Sequence, residues 1–355
     1  MKEEIAAIFA RAKISSALAL GVSWPDGKGW RARHIFLGAP SPFTDEKVGE
    51  TTVFDLASVT KPLVTALCIH ELVCQGKLTF ADSLADIFPD MLPAAHPAVG
   101  QISIGQLLNH SSGLPAHRPY YSRLVALPPP ERKEALLAII LSEKPLYAAG
   151  CGHIYSDLGF MLLGFIIERL TGDSLDAHWR RTIAEKIGVE NDLFFPRQEK
   201  GRHVFAETGI CPWSKQILAG TVHDDNCRSL GGIAGHAGLF GTLGGVMTVC
   251  DWLLALWHDT GREAEILQKM CTPAPGASWC LGFDSPSGPD SASGRYFQTP
   301  SIGHLGFTGT SFWIDLRRRI SVVLLTNRTI FSWDRAEMNR FRREIYDCVM
   351  EGFED

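Results

Sequence analysis

Segments with strand character stand at both ends of this chain, and its middle is helical. Residues 14–23 and 31–37 are strand-like, and residues 279–326 contain four more such segments. Residues 77–270 show mainly helical periodicity, interrupted by long loops. Because a sheet must bury a face against another layer, strands from both ends are expected to join in one antiparallel sheet flanked by helices. The sequence therefore predicts an α+β fold with an inserted all-helical lobe.

The same arrangement predicts where the lobes begin and end. Residues 1–76 and 271–355 are expected to form the lobe that contains the sheet, and residues 77–270 the helical lobe, with the active site between them. A chain of 355 residues is long enough to bury the cores of two such lobes. Residues 188–241 are predicted to be irregular. Helices are predicted at 3–12, 58–76, 104–109, 131–142, 156–170, 174–187, 243–258 and 335–350, and strands at 14–23, 31–37, 279–284, 301–307, 311–316 and 320–326.

Charge and composition exclude several classes of function. The net charge is −5 with both signs interspersed, which argues against a nucleic-acid partner. Nine scattered cysteines without a Cys-x-x-Cys pair indicate neither a zinc ribbon nor a redox motif. The longest apolar run, Leu158–Ile167, is too short to span a bilayer, so no integral membrane segment is expected. Neither a metal nor an organic cofactor is predicted.

The start of the chain bears on its location. Met1–Ile5 carries two acidic side chains and lacks the basic and apolar regions of a secretory signal. Most of the cysteines lie in apolar stretches, as buried free thiols do. A reducing cytoplasm is the expected location, and the periplasm is the alternative if the natural chain starts before Met1.

Ser58 and Lys61 stand at the start of an apolar helix. Their three-residue spacing puts the ammonium on the same face of the helix as the hydroxyl, one turn along. A serine hydroxyl is a poor nucleophile until a neighbouring base removes its proton, and a lysine of lowered pKa is able to do so. The pair predicts a nucleophilic serine. A helix start with a solvated lysine is the alternative that these two residues alone leave open.

Two further stretches are candidates to complete the site. Tyr155-Ser156-Asp157 stands at the start of the apolar helix 156–170, so the tyrosine and the aspartate would project from its N-terminal end. Residues 303–309 lie on a predicted strand whose glycines allow a ligand or another backbone to approach closely. The structural alternatives are a core-edge aromatic at Tyr155, a helix cap at Asp157 and a polar strand residue at His304.

Together and in this order, these stretches resemble the motifs of the serine penicillin-recognising enzymes, which include class C β-lactamases, DD-peptidases and related esterases. The family motifs are Ser-x-x-Lys, Tyr-x-Asn and Lys/His-Thr-Gly. They correspond here to Ser58-x-x-Lys61, Tyr155-Ser156-Asp157 and His304-Leu305-Gly306. Residues 107–115 and 235–240 are similar to further family landmarks. The resemblance covers nearly the whole chain and implies a β-lactamase/transpeptidase-like fold.

The resemblance implies a role for each motif residue. Ser58 would be the nucleophile that is acylated by the substrate. Lys61 would stay close to its hydroxyl and help to remove the proton, and Tyr155 would share that proton path and pass the proton to the leaving group. His304 would face Tyr155 across the cleft and tune it. The resemblance leaves open whether Lys61 or Tyr155 is the formal base.

The resemblance also implies how the substrate is held. The backbone N–H groups of Ser58 and Phe307 would form the oxyanion hole, where developing negative charge is stabilised. The loop of residues 235–240, which includes His236 and Ala237, would border the pocket for the acyl side chain.

Two departures from the family pattern affect the expected substrate. Asp157 replaces the usual asparagine, so it is able to accept from Lys61 but not to donate to a substrate carbonyl. Leu305 replaces the threonine whose hydroxyl helps to hold a substrate carboxylate. Both changes count against tight recognition of penicillins or peptidoglycan stems. The predicted partner is therefore a small ester or amide, with β-lactam hydrolysis weak or incidental.

Two rival functions are left open by these residues. A true β-lactamase or DD-peptidase and a catalytically silent ligand-binding or regulatory homologue are the two rivals. The group of His223, Asp224, Asp225 and His236 lacks the spacing of a metal site, and hydrogen bonding within a loop is the favoured interpretation. The sequence contains no Gly-x-Ser-x-Gly motif, which disfavours an α/β-hydrolase. The acyl group, the leaving group and the oligomeric state are left open.

Overall fold

The architecture is that of a computed structural model, which describes residues 1–27, 29–91, 96–196, 203–273, 279–288 and 290–353. Its strands are β1 (Ala17–Asp26), β2 (Gly29–Gly38), β3 (Thr52–Asp55), β4 (Leu193–Phe194), β5 (Val204–Phe205), β6 (Phe240–Gly241), β7 (Ser301–Leu305), β8 (Ser311–Asp315) and β9 (Ile320–Thr326). Five of them form the main sheet in the order β2-β1-β9-β8-β7, and every neighbouring pair is antiparallel. The predicted α+β fold, with one antiparallel sheet built from both ends of the chain, is confirmed.

The main sheet contains a hairpin of β1 and β2 and a buried inner strand, β9. β1 and β2 pair as far as Asp26 and Gly29, so the chain reverses in a tight turn. Gly27 in that turn has a φ of +28°, a positive value that favours glycine. All seven residues of β9 are buried, as its apolar sequence predicts for a strand with neighbours on both sides.

Helices cover both faces of the main sheet. Leu20 and Leu324 belong to one buried cluster with Ile345 near the C-terminus, whereas Ala19 and Leu325 belong to the larger cluster on the other face. This alternation follows from the two-residue period of a strand. The helices are α1 (Lys2–Ala12), α2 (Leu67–Cys74), α3 (Leu84–Ile87), α4 (Pro97–Gly100), α5 (Ile104–Leu108), α6 (Tyr121–Leu124), α7 (Arg132–Leu141), α8 (Asp157–Thr171), α9 (Leu175–Trp179), α10 (Glu185–Ile187), α11 (Asp225–Ser229), α12 (Leu243–Trp257), α13 (Arg262–Met270) and α14 (Arg335–Met350).

Helix α12 packs against the main sheet. Its contacts are with β1 and β9, and at Gly21 of β1 a Cβ atom would collide with the sulfur of Met247. The sequence places this helix within the range 77–270, which it assigns to the helical lobe. The division of the chain into two lobes stays a prediction.

The helix that carries Ser58 is assembled from three kinds of turn. Ala57–Val59 forms a 3-10 turn, Lys61–Ala66 forms a wider π-helical segment, and α2 continues as a regular helix. Such π-helical segments are frequent at functional sites. By length and composition, residues 57–74 are able to cross a membrane, but 83% of this window is buried inside the fold, as expected of a core helix.

The predicted ends of the two helices near the site agree with the structure, except that the N-cap of α8 is Ser156 and not Asp157. Gly76 follows α2 with a φ of +71°, and Gly172 follows α8 with a φ of +73°, a conformation that glycine adopts without strain. The hydroxyl of Ser156 accepts a hydrogen bond from the N–H of Gly159, so Ser156 is the N-cap of α8 and Asp157 is its first residue.

Two parts of the predicted secondary structure are wrong. The segment 188–241 contains β4, β5 and β6, which form a second sheet with β3 in the order β4-β6-β3-β5. Two-residue strands are too short to produce an alternating pattern. The predicted strand at 279–284 is a chain reversal, in which Trp279 pairs with Asp284. Gly282 has a φ of +92° there, and a Cβ atom on it would lie 2.4 Å from that of Ala66.

Candidate active site

A tight turn at the end of β3 places Ser58. The buried carboxylate of Asp55 accepts hydrogen bonds from the N–H of Ala57 and from the N–H of His223, both at 2.8 Å. Ala57 has a φ of +48°, which residues with a Cβ rarely adopt. The carboxylate therefore holds a strained turn in place, and Ser58 emerges from it half-buried.

The ammonium of Lys61 has an acceptor for each of its three hydrogens. Nζ lies 3.0 Å from Ser58 Oγ, 2.7 Å from Asp157 Oδ1 and 3.1 Å from the carbonyl oxygen of His236, and the side chain is fully buried. Burial lowers the pKa of Lys61, but the Asp157 carboxylate and the Tyr155 hydroxyl together raise it above its ordinary value. The lowered pKa that a lysine base requires is therefore not a property of Lys61 in this arrangement. Lys61 is charged in the resting state and donates to Ser58.

Asp157 holds the charge on Lys61. The carboxylate lies at the N-terminal end of α8, where the helix dipole favours a negative charge. Its second oxygen lies 3.5 Å from Nδ1 of His117. Burial raises the pKa of Asp157, but the Lys61 ammonium and the hydrogen bond from His117 hold it well below its ordinary value. The carboxylate is therefore ionised, and it accepts from Lys61 as the sequence predicts.

Tyr155 lies against the nucleophile and its lysine. The centroid of its ring is 4.9 Å from Nζ of Lys61, 4.6 Å from the ring of His110 and 6.0 Å from the ring of His304. Burial raises the pKa of Tyr155, and the positive charge of Lys61 only partly opposes this effect. The phenol is therefore neutral at pH 7. A neutral phenol has to lose its own proton before it can accept one from the serine hydroxyl.

His304 on β7 faces Tyr155, where the sequence places it. Its Nδ1 lies 3.0 Å from the carbonyl oxygen of Leu305, to which it donates. Nε2 is then an acceptor, and it is buried without a partner within the described part of the chain. Burial, together with the Lys61 charge, lowers the pKa of His304 to about 3. The imidazole is therefore neutral and supplies no positive charge to the site.

Gly306 brings the end of β7 against the turn that carries Ser58. A Cβ atom at Gly306 would lie 2.1 Å from Thr310 Oγ1 and 2.8 Å from the carbonyl oxygen of Leu56. The hydroxyls of Thr308 and Thr310 donate to the carbonyl oxygens of Asp55 and Leu56, at 2.7 and 3.1 Å. Glycine is required here because two backbone segments meet, as the sequence predicts for this stretch.

This contact positions the two N–H groups of the predicted oxyanion hole. The N–H groups of Ser58 and Phe307 form no hydrogen bond within the residues that the structure describes. The carbonyl oxygen of Phe307, which belongs to the next peptide along the chain, accepts from Nε of Arg328 at 2.7 Å. Both N–H groups are therefore available to a carbonyl oxygen from outside, as an oxyanion hole requires. The roles of these residues in catalysis stay predictions.

The loop of residues 235–240 contacts Lys61. The carbonyl oxygen of His236 accepts from the lysine, and Nε2 of His236 lies 2.9 Å from Asp224 Oδ1. The carbonyl oxygen of Ala237 accepts from Sγ of Cys227 at 3.1 Å. These contacts agree with hydrogen bonding within a loop as the role of the histidine and the aspartate. The predicted border of the acyl pocket at this loop stays a prediction.

Several residues that position the site lie outside the set of catalytic and supporting residues predicted from the sequence. They are Asp55, Thr308, Thr310 and His110, whose Nδ1 accepts from the N–H of Ser156 at 3.1 Å. Asp55 carries a usable signal, because an aspartate inside an apolar run has to find a buried partner. The threonines give no such signal, since their partners lie about 250 residues earlier in the chain.

Solved structures share this fold. EstCE1, described as a hydrolase with promiscuous acyltransferase activity, has a TM-score of 0.75 at 19% identity, and the match covers 97% of this chain and 98% of that one. A class C beta lactamase from Rhodobacter sphaeroides has a TM-score of 0.73 at 17% identity, covering 99% of this chain and 100% of that one. The predicted β-lactamase/transpeptidase-like fold is confirmed.

Sequence comparison identifies the family. A relative from Escherichia coli K12, named "Putative D-alanyl-D-alanine carboxypeptidase", is 28% identical over 326 residues, which cover 85% of this chain and 75% of that protein. The model of the beta-lactamase family matches residues 20–347, which is most of the chain. This protein therefore belongs to the beta-lactamase family and is a serine hydrolase.

Proposed function

We propose that this hydrolase cleaves small esters or amides that carry no carboxylate beside the scissile bond, through an acyl-enzyme on Ser58. The observation that carries the proposal is the distribution of charge around the nucleophile. The Lys61 ammonium is already bonded to three acceptors, and Asp157 is an ionised carboxylate where the family motif has an amide. An anionic substrate would therefore meet a negative group and a lysine whose hydrogens are all in use.

The surroundings of β7 and of the turn that follows it support the same substrate class. Leu305 offers no hydroxyl to a carboxylate, and His304 is neutral. The buried guanidinium groups of Arg328 and Arg342, which contact this strand and its loop, donate to backbone carbonyls. β-Lactams and D-Ala-D-Ala peptides carry a carboxylate close to the bond that is cleaved. Their tight recognition is therefore not expected.

The proposed reaction proceeds in two steps. Once Tyr155 has released its phenolic proton to solvent, Ser58 Oγ attacks the substrate carbonyl carbon while its own proton passes to the phenolate, and the oxyanion accepts hydrogen bonds from the N–H groups of Ser58 and Phe307. The bond to the leaving group then breaks as Tyr155 returns the proton to it. Water attacks the resulting ester, releases the carboxylic acid and restores the serine hydroxyl. Lys61 stays charged and stabilises the negative charge of the Tyr155 phenolate until it accepts the proton.

The names of similar proteins support an acyl-transfer reaction. The Escherichia coli relative is named as a carboxypeptidase, and EstCE1 as a hydrolase with acyltransferase activity. The two names describe acyl transfer in proteins of this fold. They do not specify the acyl donor of this chain, which is inferred from the charges around Ser58.

A substrate panel tests the proposal. A neutral p-nitrophenyl ester is expected to be hydrolysed with a higher kcat/KM than either nitrocefin or a peptide ending in D-Ala-D-Ala, because only the last two present a carboxylate. Ser58→Ala supplies the background rate, and a fluorophosphonate adduct measured by intact mass locates the nucleophile. Faster turnover of nitrocefin or of the peptide would support a true β-lactamase or DD-peptidase. If the protein forms no adduct and turns over none of these substrates, the result would support a silent binding homologue.

Asp157→Asn is expected to move the pH dependence of kcat/KM toward lower pH by about 1–3 units. Both Lys61 and Tyr155 have a raised pKa. One of the two groups has to lose its own proton before it can accept the proton of Ser58, and in the wild type this loss occurs only at alkaline pH. An amide removes the carboxylate that raises both pKa values and leaves the opposing effect of burial on Lys61. Turnover of a p-nitrophenyl ester across neutral and alkaline pH measures the change.

A matched substitution controls for the loss of a carboxylate in general. Asp90 lies at the surface in an ion pair with Arg169, so Asp90→Asn is expected to leave the profile in place. The Ser58→Ala rate, subtracted at each pH, removes hydrolysis by hydroxide. A profile of Asp157→Asn that is unchanged, or moved to higher pH, would contradict the assignment of Asp157 as the group that holds the charge on Lys61.

A further inference from the structure

A buried guanidinium lies against the turn that follows β7. Arg342 is on α14 and is 4% exposed. Its Nη2 donates to the carbonyl oxygen of Gly306 at 2.8 Å and to that of Thr310 at 3.0 Å, and its Nη1 donates to Asn339 Oδ1 at 3.1 Å. The first two contacts tie both ends of the turn after β7 to one side chain.

The first of these contacts acts on the peptide that matters for the oxyanion hole. The carbonyl of Gly306 and the N–H of Phe307 belong to the same planar trans peptide, so they point in opposite directions. A donor that fixes the carbonyl oxygen therefore also fixes the direction of the N–H. A charged donor polarises the peptide as well, which makes the N–H a stronger donor on the opposite side.

The charge of Arg342 has no carboxylate partner among the ion pairs of the described residues. Burial lowers the pKa of Arg342 to about 9, so the guanidinium is charged at neutral pH. A buried charge is costly unless neighbouring groups compensate for it, and here the compensation comes from carbonyl and amide oxygens. A negative charge on the other face of the Gly306–Phe307 peptide would add to that compensation, and such a charge develops there only during acyl transfer.

We propose that Arg342 is a positioning residue of the oxyanion hole, which acts through the Gly306–Phe307 peptide to favour the tetrahedral oxyanion over the bound substrate. The inference rests on the proposed acyl-enzyme at Ser58. Arg342 touches no reacting atom, and its effect is carried by the backbone peptide that it orients and polarises. Its signature is a loss in kcat and in affinity for a tetrahedral anion, without a matching loss in substrate binding.

The test compares Arg342→Gln and Arg342→Lys with the wild type and with Arg343→Lys. Arg343 lies on the same helix, and its guanidinium donates to the Asp290 carbonyl near the surface. The readouts are kcat and KM for a p-nitrophenyl ester and the inhibition constant of phenylboronic acid, whose adduct with Ser58 is a tetrahedral anion. Arg342→Gln is expected to lower kcat and boronate affinity in parallel, by about 10- to 100-fold, with KM nearly unchanged.

The remaining variants make the outcome decisive. Arg342→Lys keeps a charge but cannot bind both carbonyls in the same geometry, so it is expected to fall between the wild type and Arg342→Gln in both readouts. If Arg342→Gln does not fold, Arg342→Lys decides alone. The proposal would be overturned if a folded Arg342 variant kept the boronate affinity and the kcat of the wild type. It would also be overturned if Arg343→Lys lost as much of both as the Arg342 variants do. Ser58→Ala separately tests the acyl-enzyme, because it should abolish boronate binding altogether.

Discussion

Lys61→Met is expected to reduce kcat/KM for an ester nearly as far as Ser58→Ala does, by about three orders of magnitude or more. The ammonium contacts Ser58 Oγ directly, and its Nζ lies 4.9 Å from the centroid of the Tyr155 ring. Without it, the Tyr155 phenolate has no counter-ion, and the serine hydroxyl loses a hydrogen bond that orients it. Steady-state turnover and the rate of fluorophosphonate labelling both measure the loss.

The same substitution is expected to lower the free energy of unfolding by about 3–5 kcal/mol, because it leaves the Asp157 carboxylate without its main partner. Lys61 is fully buried, and the side chain of Asp157 is 17% exposed. The double variant Lys61→Met/Asp157→Asn removes that unpaired charge. Its stability is expected to recover while its activity does not.

The double variant also separates catalysis from folding. If activity returned together with stability in Lys61→Met/Asp157→Asn, the loss in Lys61→Met would be an effect on the fold, and the catalytic role of Lys61 would be refuted. If a folded Lys61→Met protein turned over the ester at the wild-type rate, the role of the lysine as counter-ion to Tyr155 would be refuted as well. Urea unfolding of each variant supplies the stability comparison.

The parts of the site that the sequence predicts are those set by local structure. Ser58 and Lys61 meet because three residues make nearly one helical turn, and Tyr155 and Asp157 flank the N-cap of an apolar helix. Those relations hold wherever the helices pack. The order of the motifs then identifies the family, which supplies the relative placement of segments that lie far apart in the chain.

The parts that the sequence does not predict depend on distant partners. The strands β4, β5 and β6 are short, and their pairing is set by contact with one another and with β3. Arg342 is one of several arginines on α14, and its effect on Gly306 comes from the way that this helix packs against the turn. The raised pKa of Lys61 has the same origin, because it depends on how close α8 brings a carboxylate.

Gly306→Ala is expected to lower kcat by about 100-fold with a smaller change in KM. The new methyl group would lie 2.1 Å from Thr310 Oγ1 and 2.8 Å from the backbone oxygen of Leu56, so strand and turn must move apart. Separating them displaces the N–H of Phe307 from that of Ser58, and a shift of about 1 Å is enough to weaken an oxyanion contact severely. Ester turnover and boronate affinity should fall together.

A second glycine shows whether the added methyl group acts through this contact. Gly49 has nothing within 4 Å of a Cβ position, so Gly49→Ala is expected to retain full activity. Overpacking at Gly306 is also expected to cost about 1–3 kcal/mol of stability, which the unfolding midpoint measures. A folded Gly306→Ala protein with wild-type kcat would mean that the oxyanion is held elsewhere. A parallel loss in Gly49→Ala would mean that the effect is not specific, because no backbone segment stands in the way of that methyl group.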